Sequence, residues 1–134
     1  MHIWYIINQG TFKMKTYFLL FSILILSLAS QAQKKQLLST QETVEQQAFL
    51  ELAQAMSPPD GSLYKFGIKN KIVGEYTLRL TLEKDGQVTS VFVVDKKNGN
   101  IESQNLLKDK IFDFQFDFKM PKKQDFKINY TFKF

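Results

Sequence analysis

The sequence predicts a small α+β domain, and three features of the chain carry this prediction. Gly74 to Val94 alternates apolar and polar residues on both sides of Asp85-Gly86, which is the pattern of a β-hairpin. Phe126 to Phe134 alternates in the same way and is the clearest single strand. Apolar residues at three- and four-residue spacing predict one helix before the hairpin and another between it and the last strand.

The composition limits the classes of function. The chain has 134 residues, enough for one domain, and a formal charge of +5. Lys13 and Lys15 lie in a front segment that we expect to be removed, which leaves a net charge of +3. Most remaining lysines are interspersed with acidic residues, so no basic stripe is formed to follow a phosphate backbone. We therefore expect no nucleic-acid partner.

The chain lacks cysteine, and its single histidine is His2. Disulfides, thiol nucleophiles, thiolate metal sites and a lipid anchor on cysteine are therefore excluded. Because His2 lies in the segment that we expect to be lost, the mature chain would lack the commonest general base and zinc ligand. We expect a protein that is not an enzyme and that holds no metal or cofactor.

The front of the chain predicts export. Tyr17 to Ala29 is a run of apolar residues and serine, preceded by Lys15 and followed by Ser30-Gln31-Ala32. This arrangement is typical of a signal peptide cleaved before Gln33. A retained membrane anchor is the alternative, but the run is shorter than the roughly 17 to 25 residues that span a bilayer. We expect a periplasmic or secreted protein without a membrane span in its mature form.

Residues 1–13 precede this leader and have no place in a signal peptide. Met14-Lys15 has the character of a natural start, so we interpret residues 1–13 as a gene-start artefact and residues 14–32 as the leader. N-terminal sequencing of a precursor that begins at Met1 would contradict this interpretation.

The segment between the leader and the hairpin contains the first predicted helix. After a loose polar stretch from Gln33 to Leu38, Ser39 stands three residues before Glu42, the spacing of a capping box. The helix should run to about Met56 and end before two prolines. Ser62 to Val73 leaves two interpretations open, a short edge strand or a loop that carries aromatic residues back to the core.

The segment after the hairpin contains the second predicted helix. Asn100 can cap a helix from Ile101 to about Phe112. The following residues alternate again, and we expect Phe114 to Phe118 to be extended. On such a strand Asp113 and Asp117 would share one face, about 13 Å apart. This separation exceeds that of paired carboxylates in glycoside hydrolases, and we interpret the two acids as solubilising an aromatic ribbon.

A family resemblance rests on soft motifs spread over residues 74–134. These motifs are Gly74 opening an alternating strand, Lys84-Asp-Gly-Gln-Val88 at the turn, Ser90 to Val94 as the return strand, Asn98-Gly99, Phe116 to Pro121, and Phe126 to Phe134. In their order and spacing they resemble the C-terminal domain of TonB-type energy transducers and the related AgmX/PglI-type C-terminal domain.

The resemblance implies a three-stranded antiparallel sheet with two helices packed on one face. It also implies that the last strand is an edge to which a short peptide of an outer-membrane receptor adds by backbone pairing. By position, Lys127, Asn129, Thr131 and Lys133 would flank the added strand. The chain departs from the transducers, which hold a membrane-spanning N-terminus and a long proline-rich spacer, because it has a short leader and three prolines.

These observations predict three parts: the leader, residues 33–61 with the first helix, and an α+β domain over residues 62–134. Our hypothesis is a free-standing periplasmic module that binds an envelope protein or peptide by strand addition, with its oligomeric state left open. The alternative is a structural protein that self-associates through the Phe-rich residues 112–118. An enzyme acting on cell-wall material is the third candidate.

Overall fold

The computed structural model describes residues 34–134. The predicted leader, its cleavage site and residues 1–13 lie outside the described residues. The elements in chain order are β1 (Gln36–Leu37), α1 (Gln41–Ala55), α2 (Ser62–Lys69), β2 (Glu75–Glu83), β3 (Gln87–Lys97), α3 (Ile101–Phe112), β4 (Phe118–Lys119) and β5 (Asp125–Lys133). Over the described part of the chain, no helix is long and apolar enough to cross a membrane.

The fold is α+β, as predicted, and is built on one antiparallel sheet. The sheet has three strands in the order β3-β2-β5, with the hairpin and the C-terminal strand as expected. Two features were not predicted, a third helix and a two-stranded parallel pair formed by β1 and β4.

The core lies between one face of this sheet and the helices. Alternate residues of β2 and β5 point inward and join helix side chains in a single hydrophobic cluster, whose members include Val44, Leu52, Leu63, Tyr76, Leu78, Leu80, Leu82, Leu107, Ile111, Phe126, Ile128 and Phe132. Full burial of one such side chain is worth about 1.5 to 3 kcal/mol before entropy is subtracted. The opposite face of the sheet is polar and largely exposed.

Helix α1 begins one residue later than the capping-box spacing indicates. Thr40, rather than Ser39, is the N-cap, and its hydroxyl accepts a hydrogen bond from the Thr43 amide at 3.2 Å. The Thr43 hydroxyl in turn donates to the Thr40 carbonyl at 3.1 Å. A threonine pair therefore stabilises this end of the helix where Ser39 and Glu42 were expected to do so.

Helix α2 replaces the edge strand or loop that we expected over residues 62–73. Leu63 and Gly67, four residues apart, are buried on its inner side, whereas Ile68 is exposed. A Cβ at residue 67 would lie 2.5 Å from the Phe134 ring, so glycine allows the helix to approach the end of β5. The glycine that interrupts the sequence pattern thus makes room for a residue far along the chain.

The hairpin turn is formed by Lys84, Asp85 and Gly86. Positive φ angles occur at Lys84 (47°) and Gly86 (82°), so the left-handed positions of the turn are these two residues and not the Asp85-Gly86 pair on which the sequence pattern is centred. A Cβ at residue 86 would lie 2.5 Å from the Phe116 carbonyl oxygen, because the chain before β4 crosses the turn there. The Phe116 amide donates to the Gly86 carbonyl at 3.0 Å and fixes this crossing.

The segment expected to be extended over residues 114–118 is a strand only at its end. Gln115 forms an isolated bridge with Gln87, and β4 begins at Phe118. β4 pairs in parallel with β1, so the N-terminal stretch that we expected to be loose is ordered from Gln36. Helix α3 agrees with its prediction, and the Asn100 side chain accepts a hydrogen bond from the Ser103 amide at 2.7 Å.

Candidate functional site

The candidate site is the outer border of β5, which is one edge strand of the sheet. β5 pairs with β2 along nine consecutive residues without any irregularity, from Glu75 opposite Lys133 to Glu83 opposite Asp125. The strand presents a regular border because no residue is inserted in either partner.

The direction of the β5 backbone groups follows from two hydrogen bonds. The Phe134 amide donates to the Gly74 carbonyl at 3.1 Å, which continues the β2–β5 register. In an antiparallel pair alternate residues bond across, so the even-numbered residues of β5 bond to β2 and the odd-numbered residues face away. Accordingly, Gln41 Nε2 reaches the Lys127 carbonyl from the outside at 2.8 Å.

The structure brings the four predicted site residues together on this border, with exposed side chains on the helix-free face. The side-chain oxygen Oδ1 of Asn129 accepts a hydrogen bond from Arg79 Nε at 3.1 Å. The Thr131 hydroxyl lies 2.8 Å from the Thr77 hydroxyl. Lys127 and Lys133 complete the row. Within residues 34–134, the outward N–H and C=O groups of residues 129, 131 and 133 have no hydrogen-bond partner.

The opposite edge strand, β3, is built differently. Its register with β2 shifts twice, which leaves Val94 and Thr89 as inserted residues. Such bulges twist a strand and interrupt its row of outward groups, and they protect natural edges from pairing with other chains. β3 therefore offers a poorer template for an added strand, although Phe92 is 60% exposed on it.

Helix α1 lines the helix side of the β5 border. Gln41 lies beside Lys127, and further along the helix the Phe49 ring packs edge-on against the Tyr130 ring with centroids 5.4 Å apart. Phe49 remains 37% exposed. Burial raises the pKa of the Tyr130 hydroxyl above its ordinary value. Phe49 follows the apolar spacing of the helix, and nothing in that local pattern indicates this contact.

Exposure on the inner face of β5 is uneven. Phe126, Ile128 and Phe132 are buried, whereas Tyr130 and Phe134 are only half-buried. Tyr130 is therefore the partly exposed aromatic residue in the middle of the strand, next to Phe49.

The two acids considered for catalysis do not share a strand face. Asp113 is the C-cap of α3, and Asp117 lies in the connection ahead of β4, where its amide donates to the Glu51 carboxylate at 2.9 Å. The expected strand geometry for this pair is wrong. In the described range, no group of three or more His, Cys, Asp or Glu residues could hold a metal ion.

The Phe-rich residues 112–118 mostly belong to the core. Phe116 and Phe118 are fully buried and Phe114 is half-buried, which leaves Phe112 exposed. Beside it lies a depression of about 470 Å³ lined by Gln87, Val88, Thr89, Asp113 and Gln115 together with Phe112 and Phe114. This depression adjoins the bulged strand β3.

Comparisons of the chain with protein-family models, with curated proteins and with solved structures found no match. The resemblance to TonB-type C-terminal domains therefore rests on the motifs in residues 74–134.

Proposed function

We propose that this protein is an exported, non-enzymatic binding module that recognises an extended segment of an envelope protein or peptide by strand addition to β5. The observation that carries the proposal is the regular border of this strand, where the outward backbone groups of Asn129, Thr131 and Lys133 have no partner within the described residues. Backbone groups of this kind supply affinity when a peptide extends a sheet, and alternate side chains supply selectivity.

The rigidity of β5 supports the same function. Nine pairs with β2 hold its backbone, and the contacts of Asn129 with Arg79 and of Thr131 with Thr77 hold two of its outer side chains. A border that is ordered before the ligand arrives loses less conformational entropy on binding. The bulges of β3 favour β5 as the recruiting edge.

The envelope location and the class of partner come from the sequence. The expected leader at residues 14–32 suggests a periplasmic or secreted protein. The resemblance to TonB-type domains suggests a partner such as an outer-membrane receptor. Energy transduction is not part of the proposal.

Proline substitutions on the two edges test strand addition. Asn129→Pro removes an outward donor of β5 without removing a bond to β2, because the Asn129 amide faces away from the sheet. Val91→Pro is the control on the other edge, since the Val91 amide also faces outward on β3. We expect Asn129→Pro to abolish recovery of envelope partners by crosslinking and pull-down, and Val91→Pro to retain it. Circular dichroism checks that both variants fold, and a folded Asn129→Pro protein that still binds overturns the proposal.

Self-association through residues 112–118 is the competing hypothesis. Its available surface is Phe112 with part of Phe114, since the other two rings are buried. Sedimentation at high concentration separates the two hypotheses, because a monomer there removes self-association.

A further inference from the structure

We infer that the β5 border selects an antiparallel peptide with a large apolar side chain opposite Tyr130 and an acidic side chain opposite Lys133. This inference rests on the strand addition proposed above and assigns the chemistry of the ligand. Part of the surface that selects the ligand belongs to α1, which precedes the residues that carry the family resemblance.

The apolar position follows from the geometry at Tyr130. Because the Tyr130 backbone groups bond to β2, the ligand residue opposite it forms a non-hydrogen-bonded pair, in which side chains approach most closely. That side chain points to the helix side, where Tyr130 and the 37% exposed Phe49 form an edge-on aromatic pair. Its neighbours on the inner face of β5, Ile128 and Phe132, are already covered. The aromatic pair is therefore the apolar contact surface at the middle of the border.

Gln41 limits the length of the pairing. Its side-chain amide already bonds to the Lys127 carbonyl, so the uninterrupted run of open backbone groups toward the C-terminus begins at Asn129. The ligand strand therefore covers residues 129–133, with Tyr130 near one end of the contact and Lys133 at the other.

The acidic position follows from a row of charges across the helix-free face. The strand register sets Lys97, Glu75 and Lys133 side by side, so two cations flank one carboxylate. These residues also line a depression of about 310 Å³ together with Thr77, Asp95 and Thr131. A carboxylate opposite Lys133 continues the alternation of charge, whereas a lysine there would face a like charge.

The direction follows from the sheet. All its strand pairs are antiparallel, and antiparallel pairing is slightly more stable per residue than parallel pairing. In that direction, the acidic residue stands three positions before the apolar one in the ligand.

Designed peptides test this assignment on the purified full-length protein. The probe is a fluorescent, threonine-rich heptapeptide with glutamate at its second position and phenylalanine at its fifth. The protein is titrated into the probe, and binding is measured by fluorescence anisotropy. We expect weaker binding when the glutamate is replaced by lysine, when the phenylalanine is replaced by serine, and when the order of the peptide is reversed.

Two protein variants sharpen the test. Phe49→Ala should weaken binding of the probe roughly two- to tenfold, the effect of losing one aromatic contact. Leu50→Ala, an exposed neighbour on the same helix, should leave the affinity unchanged. Lys133→Glu should invert the preference, so that the lysine peptide binds more tightly than the glutamate peptide.

The outcomes separate selectivity from strand addition. The ligand assignment alone is overturned if the probe does not bind or if all peptides bind with equal affinity. It is also overturned if Phe49→Ala leaves the affinity unchanged and Lys133→Glu does not invert the preference. Probe binding that survives Asn129→Pro in a folded protein overturns strand addition itself.

Discussion

The two edges of the sheet flank the same central strand, yet they differ in regularity. β5 matches β2 residue for residue over nine pairs, whereas β3 carries inserted residues at Thr89 and Val94. An uninterrupted row of backbone groups can template a further strand, and a bulged row cannot do so over the same length. Within residues 34–134, the difference favours β5 over β3 as the edge for an added strand.

The side chains of the two edges differ in the same sense. Every second residue of β5 points to the core, whereas the second half of β3 leaves Phe92 and Val94 exposed. β5 therefore contributes to the stability of the domain as well as to its proposed recognition surface. The variants below test this contrast between the edges, beginning with the largest expected effect.

Truncating one phenylalanine on each edge tests which edge anchors the fold. Phe132 is fully buried on β5, and Phe132→Ala should lower the free energy of unfolding by about 3 to 5 kcal/mol. Phe92 is 60% exposed on β3, and Phe92→Ala should change the free energy of unfolding by no more than about 0.5 kcal/mol. Urea denaturation followed by circular dichroism measures both values. Equal losses would contradict the assignment of β5 as the anchoring edge.

Deleting Thr89 tests whether the bulge protects β3. The deletion restores a regular register between Val88 and Ser90, and we expect it to lower stability by about 1 to 2 kcal/mol and to promote self-association. Sedimentation velocity detects the association. Thr89→Gly keeps the inserted residue and serves as the control; if the deletion variant remains as monomeric as this control, the bulge has no protective role.

Gln41→Ala tests the contact that limits the open border of β5. Loss of its hydrogen bond to the Lys127 carbonyl should lower the free energy of unfolding by about 0.5 to 1 kcal/mol, because the bond is exposed. Gln54→Ala, at an exposed position of the same helix, is the matched control. If Gln54→Ala lowers the free energy of unfolding as much as Gln41→Ala does, or more, the contact contributes nothing.

Tyr130→Phe should give the smallest effect, visible only at alkaline pH. Burial raises the pKa of Tyr130 in the folded protein, so the folded state holds this proton more strongly than the unfolded state does. The resulting stability is present below pH 10, the ordinary pKa of tyrosine. It is lost as the pH rises through the pKa of Tyr130 in the folded protein. Wild type should therefore lose stability more steeply than Tyr130→Phe above that pH in thermal melts, and parallel curves would contradict this.

Local patterns in the sequence were sufficient for the hairpin, the last strand and α3. Leu78, Leu80 and Leu82 alternate with polar residues because one face of the sheet is buried, and Asn100 precedes a helix that it caps. These signals arise from neighbours in the chain. The cap of α1 was misplaced by one residue because Ser39 and Thr40 adjoin and can both act as caps.

Features that depend on distant residues could not be predicted in this way. Gly67 fits α2 because Phe134 packs against it, and β1 becomes a strand only where β4 lies beside it. At the candidate site, the alternation in β5 predicted the outward row from Lys127 to Lys133. The contribution of Phe49 required the placement of α1 along the border, which no local pattern specifies.

The attachment of the N-terminal stretch determines how the domain can be presented to a partner. Lys35 Nζ donates to the carbonyls of Asp85 and Phe116 at 2.9 and 3.2 Å, so the chain enters the fold at the hairpin-turn end. The recruiting segment from Asn129 to Lys133 extends toward the other end, and eight residue steps of β2 separate the two ends by about 26 Å. Within the described residues, the Lys35 contacts and the Lys133 end of the recruiting segment thus lie at opposite ends of the sheet, so a strand that pairs with residues 129–133 stays clear of those contacts.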